Sequence, residues 1–130
     1  MRTGHLNVCS LRHKVSDISV LMNRTYPETF HIFGISETRL DACISDTAIN
    51  LPNYLVFRRD PVLPGETGVA VYIHSSIQHL VCRRDDLEIP EVECLWLEFK
   101  PAKSRPIFIG NLYIEILLLP QNGMNILQII

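Results

Sequence analysis

From Phe30 to Ile35 the chain carries an apolar run that stops at Glu37, a carboxylate flanked by Ser36 and Thr38. A short run rich in branched and aromatic side chains predicts a buried strand over residues 29–36. Upstream, Leu11, Val15, Ile18, Leu21 and Met22 recur three or four apart, the stripe of an amphipathic helix. Residues 5–9 form a short strand before it, and Pro27 ends the helix because the residue before a proline avoids the α region. The result is a β-α-β unit with parallel strands, which brings Asn7 and Glu37 to the same end of a sheet.

Beyond Glu37 the pattern turns to strands. Residues 41–52 are polar with isolated apolar positions and read as a loop with one helical turn; 54–59 is a strand. Residues 60–67 hold two prolines and a glycine, a surface turn. Over 68–74, Val69, Val71 and Ile73 alternate with smaller or polar residues, a clear strand signal. Strands follow over 76–82, 93–100 and 106–113, separated by loops carrying Pro90, Pro101 and Pro106. The longest apolar segment, 107–119, is interrupted by Asn111 and Glu115 and is too short for a membrane span, so it too reads as strand. A mixed sheet with few helices is the expected architecture.

Composition narrows the function classes. The 130 residues suit one domain, and 47% apolar and 20% charged residues describe an ordinary soluble sequence. A net charge of −2 excludes a basic coat, so any DNA contact must come from a local patch. Cys9, Cys43, Cys82 and Cys94 are scattered with no CxxC pair, which fits reduced, buried cysteines in an intracellular protein better than zinc or a disulfide framework. No charged and apolar leader opens the chain, so secretion is not expected. The five histidines show no metal-ligand spacing and read as surface or packing residues.

The chemistry centres on Glu37. Ligands of open α/β sheets gather at the carboxyl ends of strands, and one Glu there can anchor Mg²⁺, which uses few protein ligands. The plainer reading is a strand-end carboxylate facing water. Asn7 either joins Glu37 or caps the following helix. Arg58-Arg59 and Arg83-Arg84 could fork onto phosphates, or pair with Asp60 and Asp85 at strand ends.

Several segments change these odds by their order: His5-Leu6-Asn7-Val8-Cys9-Ser10, Ser36-Glu37-Thr38-Arg39-Leu40, Asp41-Ala42-Cys43-Ile44-Ser45-Asp46, Phe57-Arg58-Arg59-Asp60, Gly68-Val69-Ala70-Val71-Tyr72-Ile73, Glu93-Cys94-Leu95-Trp96-Leu97-Glu98 and Gly110-Asn111-Leu112-Tyr113. So arranged, the chain resembles the endonuclease domain of non-LTR retrotransposons, in the endonuclease/exonuclease/phosphatase superfamily. The resemblance implies a four-layer α/β (α+β) fold, a β-sandwich flanked by helices, incomplete here with the first sheet and part of the second. It implies an Mg²⁺-dependent enzyme that nicks DNA, with Asn7, Glu37 and Tyr113 as catalytic residues and Glu37 as metal ligand. Arg58 and Arg59 would then touch nucleic acid, with no membrane or small-molecule cofactor involved.

The likeness covers residues 1–113; the tail, 114–130, has no counterpart in the family. Nor do these residues contain the family's Gly-Asp-Phe-Asn and Ser-Asp-His segments, which supply its water-activating Asp and its His-Asp pair. The isolated chain is therefore expected to be an inactive part of a nuclease. The alternative is a non-catalytic fragment that binds nucleic acid weakly. A small-phosphoester phosphatase of the same superfamily ranks behind both. Alternating strands such as 69–73 and 95–99 are expected to expose apolar faces and drive self-association.

Overall fold

The computed structural model describes residues 1–24, 29–113, 116–121 and 124–129. Strand β1 (Thr3–Asn7) leads through helix α1 (Val15–Arg24) to β2 (Ile32–Ser36). The two strands pair in parallel, Thr3 opposite Ile32 and Asn7 opposite Ser36, as the β-α-β pattern requires. Then come β3 (Tyr54–Arg59) and β4 (Val69–His74), and the first sheet has the order β1-β2-β4-β3. A second sheet, β5-β6-β7, is built from β5 (Val81–Arg83), β6 (Glu93–Phe99) and β7 (Ile107–Tyr113), all antiparallel. A separate antiparallel hairpin joins β8 (Ile116–Gln121) to β9 (Met124–Ile129).

The central strands β2 and β4 are buried on both faces, which is why Ile32, Phe33 and Ile35 follow one another in β2 with no polar alternation before Ser36. One face packs Phe33, Ile35 and Tyr72 against Ile18 and Met22 of α1 and against Leu11, Leu40 and Ile49 from the loops. The other packs Ile32, Val69, Val71 and Ile73 onto Leu95 and Leu97 of the second sheet. The expectation that 69–73 and 95–99 expose apolar faces is thereby corrected, because three strands suffice to cover this face. On the far side of the second sheet Phe108 is 49% and Leu112 43% accessible, and other exposed apolar side chains, Val62 and Leu63 among them, lie in loops.

Elsewhere the boundaries shift for local reasons. Helix α1 begins at Val15, and Leu21 is exposed because Ile18 and Met22 take the buried line. Pro27, the expected helix stop, lies outside the described residues. The strand expected over 76–82 shortens to β5, because the His74 ring bonds the Ser76 amide and hydroxyl and turns the chain into a 3-10 segment at Gln78–Leu80. The helical turn in the 41–52 loop is present at Asp46–Ile49. Of the four free cysteines only Cys94 is buried; Cys9 and Cys43 lie in loops and Cys82 is exposed on β5. No described helix is long and apolar enough to cross a membrane.

Candidate active site

The carboxyl ends of β1 and β2 lie side by side, and the loops leaving them run in contact. Ser10 donates its amide to the Glu37 carbonyl at 2.8 Å and Leu11 to that of Thr38 at 2.9 Å. From the other side, Thr38 and Arg39 donate to the carbonyls of Gly68 and Thr67 at 3.2 and 2.7 Å. Held between these bonds, Glu37 and Arg39 take the left-handed conformation, with φ of 55° and 52°, and Cys9 does the same at 48°. Such values are uncommon outside glycine and persist where surrounding contacts over-determine them. Here they aim the Glu37 side chain out of the strand end.

Two donors converge on one oxygen of that carboxylate. Asn7 Nδ2 lies 2.9 Å and the Tyr113 hydroxyl 2.8 Å from Glu37 Oε1, although the three residues stand 30 and 76 positions apart. Asn7 is itself oriented by accepting the Cys9 amide at 3.2 Å, so it does not cap α1. Tyr113 reaches the site because β7 is fixed to the first sheet by Asn111. The buried Asn111 amide donates to the carbonyls of Ile35 and Ala70 at 3.0 and 2.9 Å, and Tyr113 follows two residues later on the same face.

The donors hold the Glu37 pKa far down, to about 2, with Asn7 contributing most, then Tyr113 and the Cys9 thiol, and the Arg39 charge adding a little. A carboxylate so acidic is a poor general base at neutral pH and a good fixed anion. Its second oxygen, Oε2, faces Arg39 at 3.6 Å, and the Arg39 side chain is 57% exposed on the rim. Among the described residues no group of three or more His, Cys, Asp or Glu gathers to hold a metal ion, so Glu37 offers one carboxylate, its Oε2 turned to the Arg39 charge.

Arg58 and Arg59 stand at the same end of the sheet but on β3, about 10 Å across from β2. Both guanidinium groups are engaged by protein partners, the expected Arg58–Asp60 pair among them. All five N–H bonds of Arg58 are engaged, by both Asp60 oxygens, by Asp46 Oδ1 at 3.2 Å, and by the carbonyls of Ile44 and Asp41. Arg59 donates to the carbonyls of Ile89, Pro90, Val92 and Cys94. Arg84 pairs with Asp86 and Glu98, not Asp85. Sequence reasoning missed Arg39 and Cys9 as neighbours of Glu37. The former was legible as the cation two positions past the carboxylate, whereas the latter depends on a backbone bend that carries no sequence signal.

A cleft of about 500 Å³ opens between the edge strands β1 and β7, lined by Gly4, His5, Phe108 and Asn111 among others; Glu37 is not part of it.

No family model and no curated protein matches this chain. Among solved structures, an AP endonuclease from Leishmania major superposes with a TM-score of 0.63 at 19% identity, over 88% of this chain. The chain spans 39% of that protein's length. With two packed sheets and few helices, the chain has part of an endonuclease/exonuclease/phosphatase-like fold.

Proposed function

We propose that residues 1–113 are the first part of a retrotransposon-type, Mg²⁺-dependent DNA endonuclease domain. The observation that carries this reading is the convergence of Asn7 and Tyr113 on one oxygen of Glu37. Three residues chosen from separate segments by family resemblance meet at hydrogen-bonding distance at the carboxyl end of two strands, where such sheets bind ligands. In this reading Glu37, kept ionised, holds the cation, Asn7 orders the carboxylate, and the Tyr113 hydroxyl lies within reach of a bound phosphate. The cation, when bound, neutralises phosphate charge and polarises the phosphorus centre. Arg39 on the rim supplies a phosphate contact that Arg58 cannot.

The AP endonuclease likeness supports a nuclease of this general kind acting on DNA. The retroelement assignment is supported by the segments around Asp41–Asp46 and Arg58–Asp60, which Arg58 binds to each other. The 130 residues alone lack a water-activating Asp and the His-Asp pair, and loss of one such group costs about 10²–10⁴ in rate. Taken alone, the chain is a non-catalytic piece with weak DNA affinity.

The test joins the chain, after Tyr113, to the genomic continuation. That continuation should encode Gly-Asp-Phe-Asn and Ser-Asp-His in some frame, and the joined protein should nick plasmid DNA with Mg²⁺ but not after Glu37→Ala. A continuation with neither segment would overturn the retroelement reading. Mg²⁺-dependent nicking by the 130 residues alone, abolished by Glu37→Ala, would overturn the inactivity.

A further inference from the structure

We propose that Glu93 is a positioning residue for the Glu37 cluster, setting from the second sheet the backbone on which Glu37 stands. Glu93 opens β6, is 9% exposed, and sits directly across the β6–β7 ladder from Tyr113. Its carboxylate accepts the Thr67 amide at 2.7 Å, the Gly68 amide at 2.5 Å and the Thr67 hydroxyl at 3.4 Å. The carbonyls of the same two residues accept the amides of Arg39 and Thr38. One carboxylate therefore orients a turn whose opposite edge clamps the two residues after Glu37.

The turn has little freedom to find another arrangement. Gly68 has a φ of +91°, and a Cβ there would stand 2.4 Å from Thr38 Oγ1. Glu37 and Arg39 are left-handed and need both clamps, Ser10 and Leu11 on one side and the 67–68 turn on the other. Removing the Glu93 acceptor would leave the Thr67 and Gly68 amides seeking new partners and loosen one clamp. Glu93 also stands opposite Tyr113 in the β6–β7 ladder, so the residue that orients the turn and the residue that bonds Glu37 share one register position. Both backbone amides bond one oxygen, Oε1, and the Thr67 hydroxyl beside Oε2 can accept as well as donate, so a Gln amide with its carbonyl in the Oε1 place keeps all three contacts, whereas a side chain without an acceptor loses them.

This inference deepens the reading of Asn7, Glu37 and Tyr113 as one site, but its test needs neither metal nor DNA. The probe is the Asn7 side-chain amide in ¹H–¹⁵N NMR, with the position in Glu37→Ala as the reference for a broken contact. In Glu93→Ala the Asn7 resonance should move at least halfway to that reference, and in Glu93→Gln it should keep its place. In Glu93→Ala amide exchange at Thr38 and Arg39 should quicken at least tenfold relative to Val71 and Leu97. Should Glu93→Ala fail to fold, Glu93→Met, which keeps the length but has no oxygen to accept the amides, carries the same readouts. An Asn7 resonance unmoved in folded Glu93→Ala or Glu93→Met would overturn the proposal. So would exchange at 38–39 that rises only in step with Val71 and Leu97, the mark of a general loss of stability. A chain that binds no Mg²⁺ would remove the metal reading and leave this result standing.

Discussion

At the scale of single residues, Glu37 is defined by the groups that hold its charge. Its pKa is lowered from 4.5 to about 2, so the stabilisation from its hydrogen bonds is complete above about pH 4.5 and is lost as pH falls through about 2. A ¹³C titration of its carboxyl should show a midpoint near 2, shifted upward by Asn7→Ala and less by Tyr113→Phe, in the order of their contributions. An ordinary carboxylate midpoint in the unmodified chain would contradict the geometry. The sequence made Glu37 and Asn7 legible because strand ends and parallel pairing follow from hydrophobic pattern. Tyr113 needed the family resemblance, since nothing local to β7 says which distant strand its hydroxyl meets. For Arg58 the pairing with Asp60 was legible from two positions away, whereas the Asp46 carboxylate and the Ile44 and Asp41 carbonyls on its other donors are visible only in the tertiary structure.

Among the elements, the connections around the site are what the sequence hid. Strand β3 matched its pattern residue for residue, but the 67–68 turn was simply a loop until its carbonyls were seen to hold Thr38 and Arg39. Gly68→Ala should therefore be costly, about 3 kcal/mol, combining the left-handed penalty with overpacking against Thr38. Chemical denaturation checks this, and a change below about 0.5 kcal/mol would show that the turn relaxes freely. Asn111→Leu should cost about 1–3 kcal/mol by removing the buried donor to the Ile35 and Ala70 carbonyls. It should also weaken the Tyr113 contact, seen as a further rise of the Glu37 midpoint. Arg58→Lys is not conservative here, because an ammonium cannot reproduce a planar five-donor fork. Faster exchange confined to the amides of 42–46 would report the loop released by that change.

Over the whole molecule, the first sheet separates two apolar cores, and the second sheet closes one of them. The hydrophobic pattern alone read as one mixed sheet, and the family resemblance implied part of a second, but neither told that three short strands would cover the face between them. Whether an alternating strand exposes or buries its apolar face depends on what packs there, which periodicity cannot tell. The remaining exposed patch should sit on the outer face at Phe108 and Leu112. Hydrophobic dye binding and self-association should accordingly fall in Phe108→Ser with Leu112→Ser while far-UV circular dichroism is retained. Unchanged dye binding would place the association surface elsewhere.

The proposal that Glu37, braced by Asn7 and Tyr113, holds a divalent cation is tested most directly by titration with Mn²⁺ as a paramagnetic stand-in for Mg²⁺. Selective broadening of the Asn7 side-chain amide and of the Glu37, Thr38 and Tyr113 resonances, competed away by Mg²⁺ and absent in Glu37→Ala, is the expected result. Broadening centred on another part of the surface, or unchanged by Glu37→Ala, would contradict it.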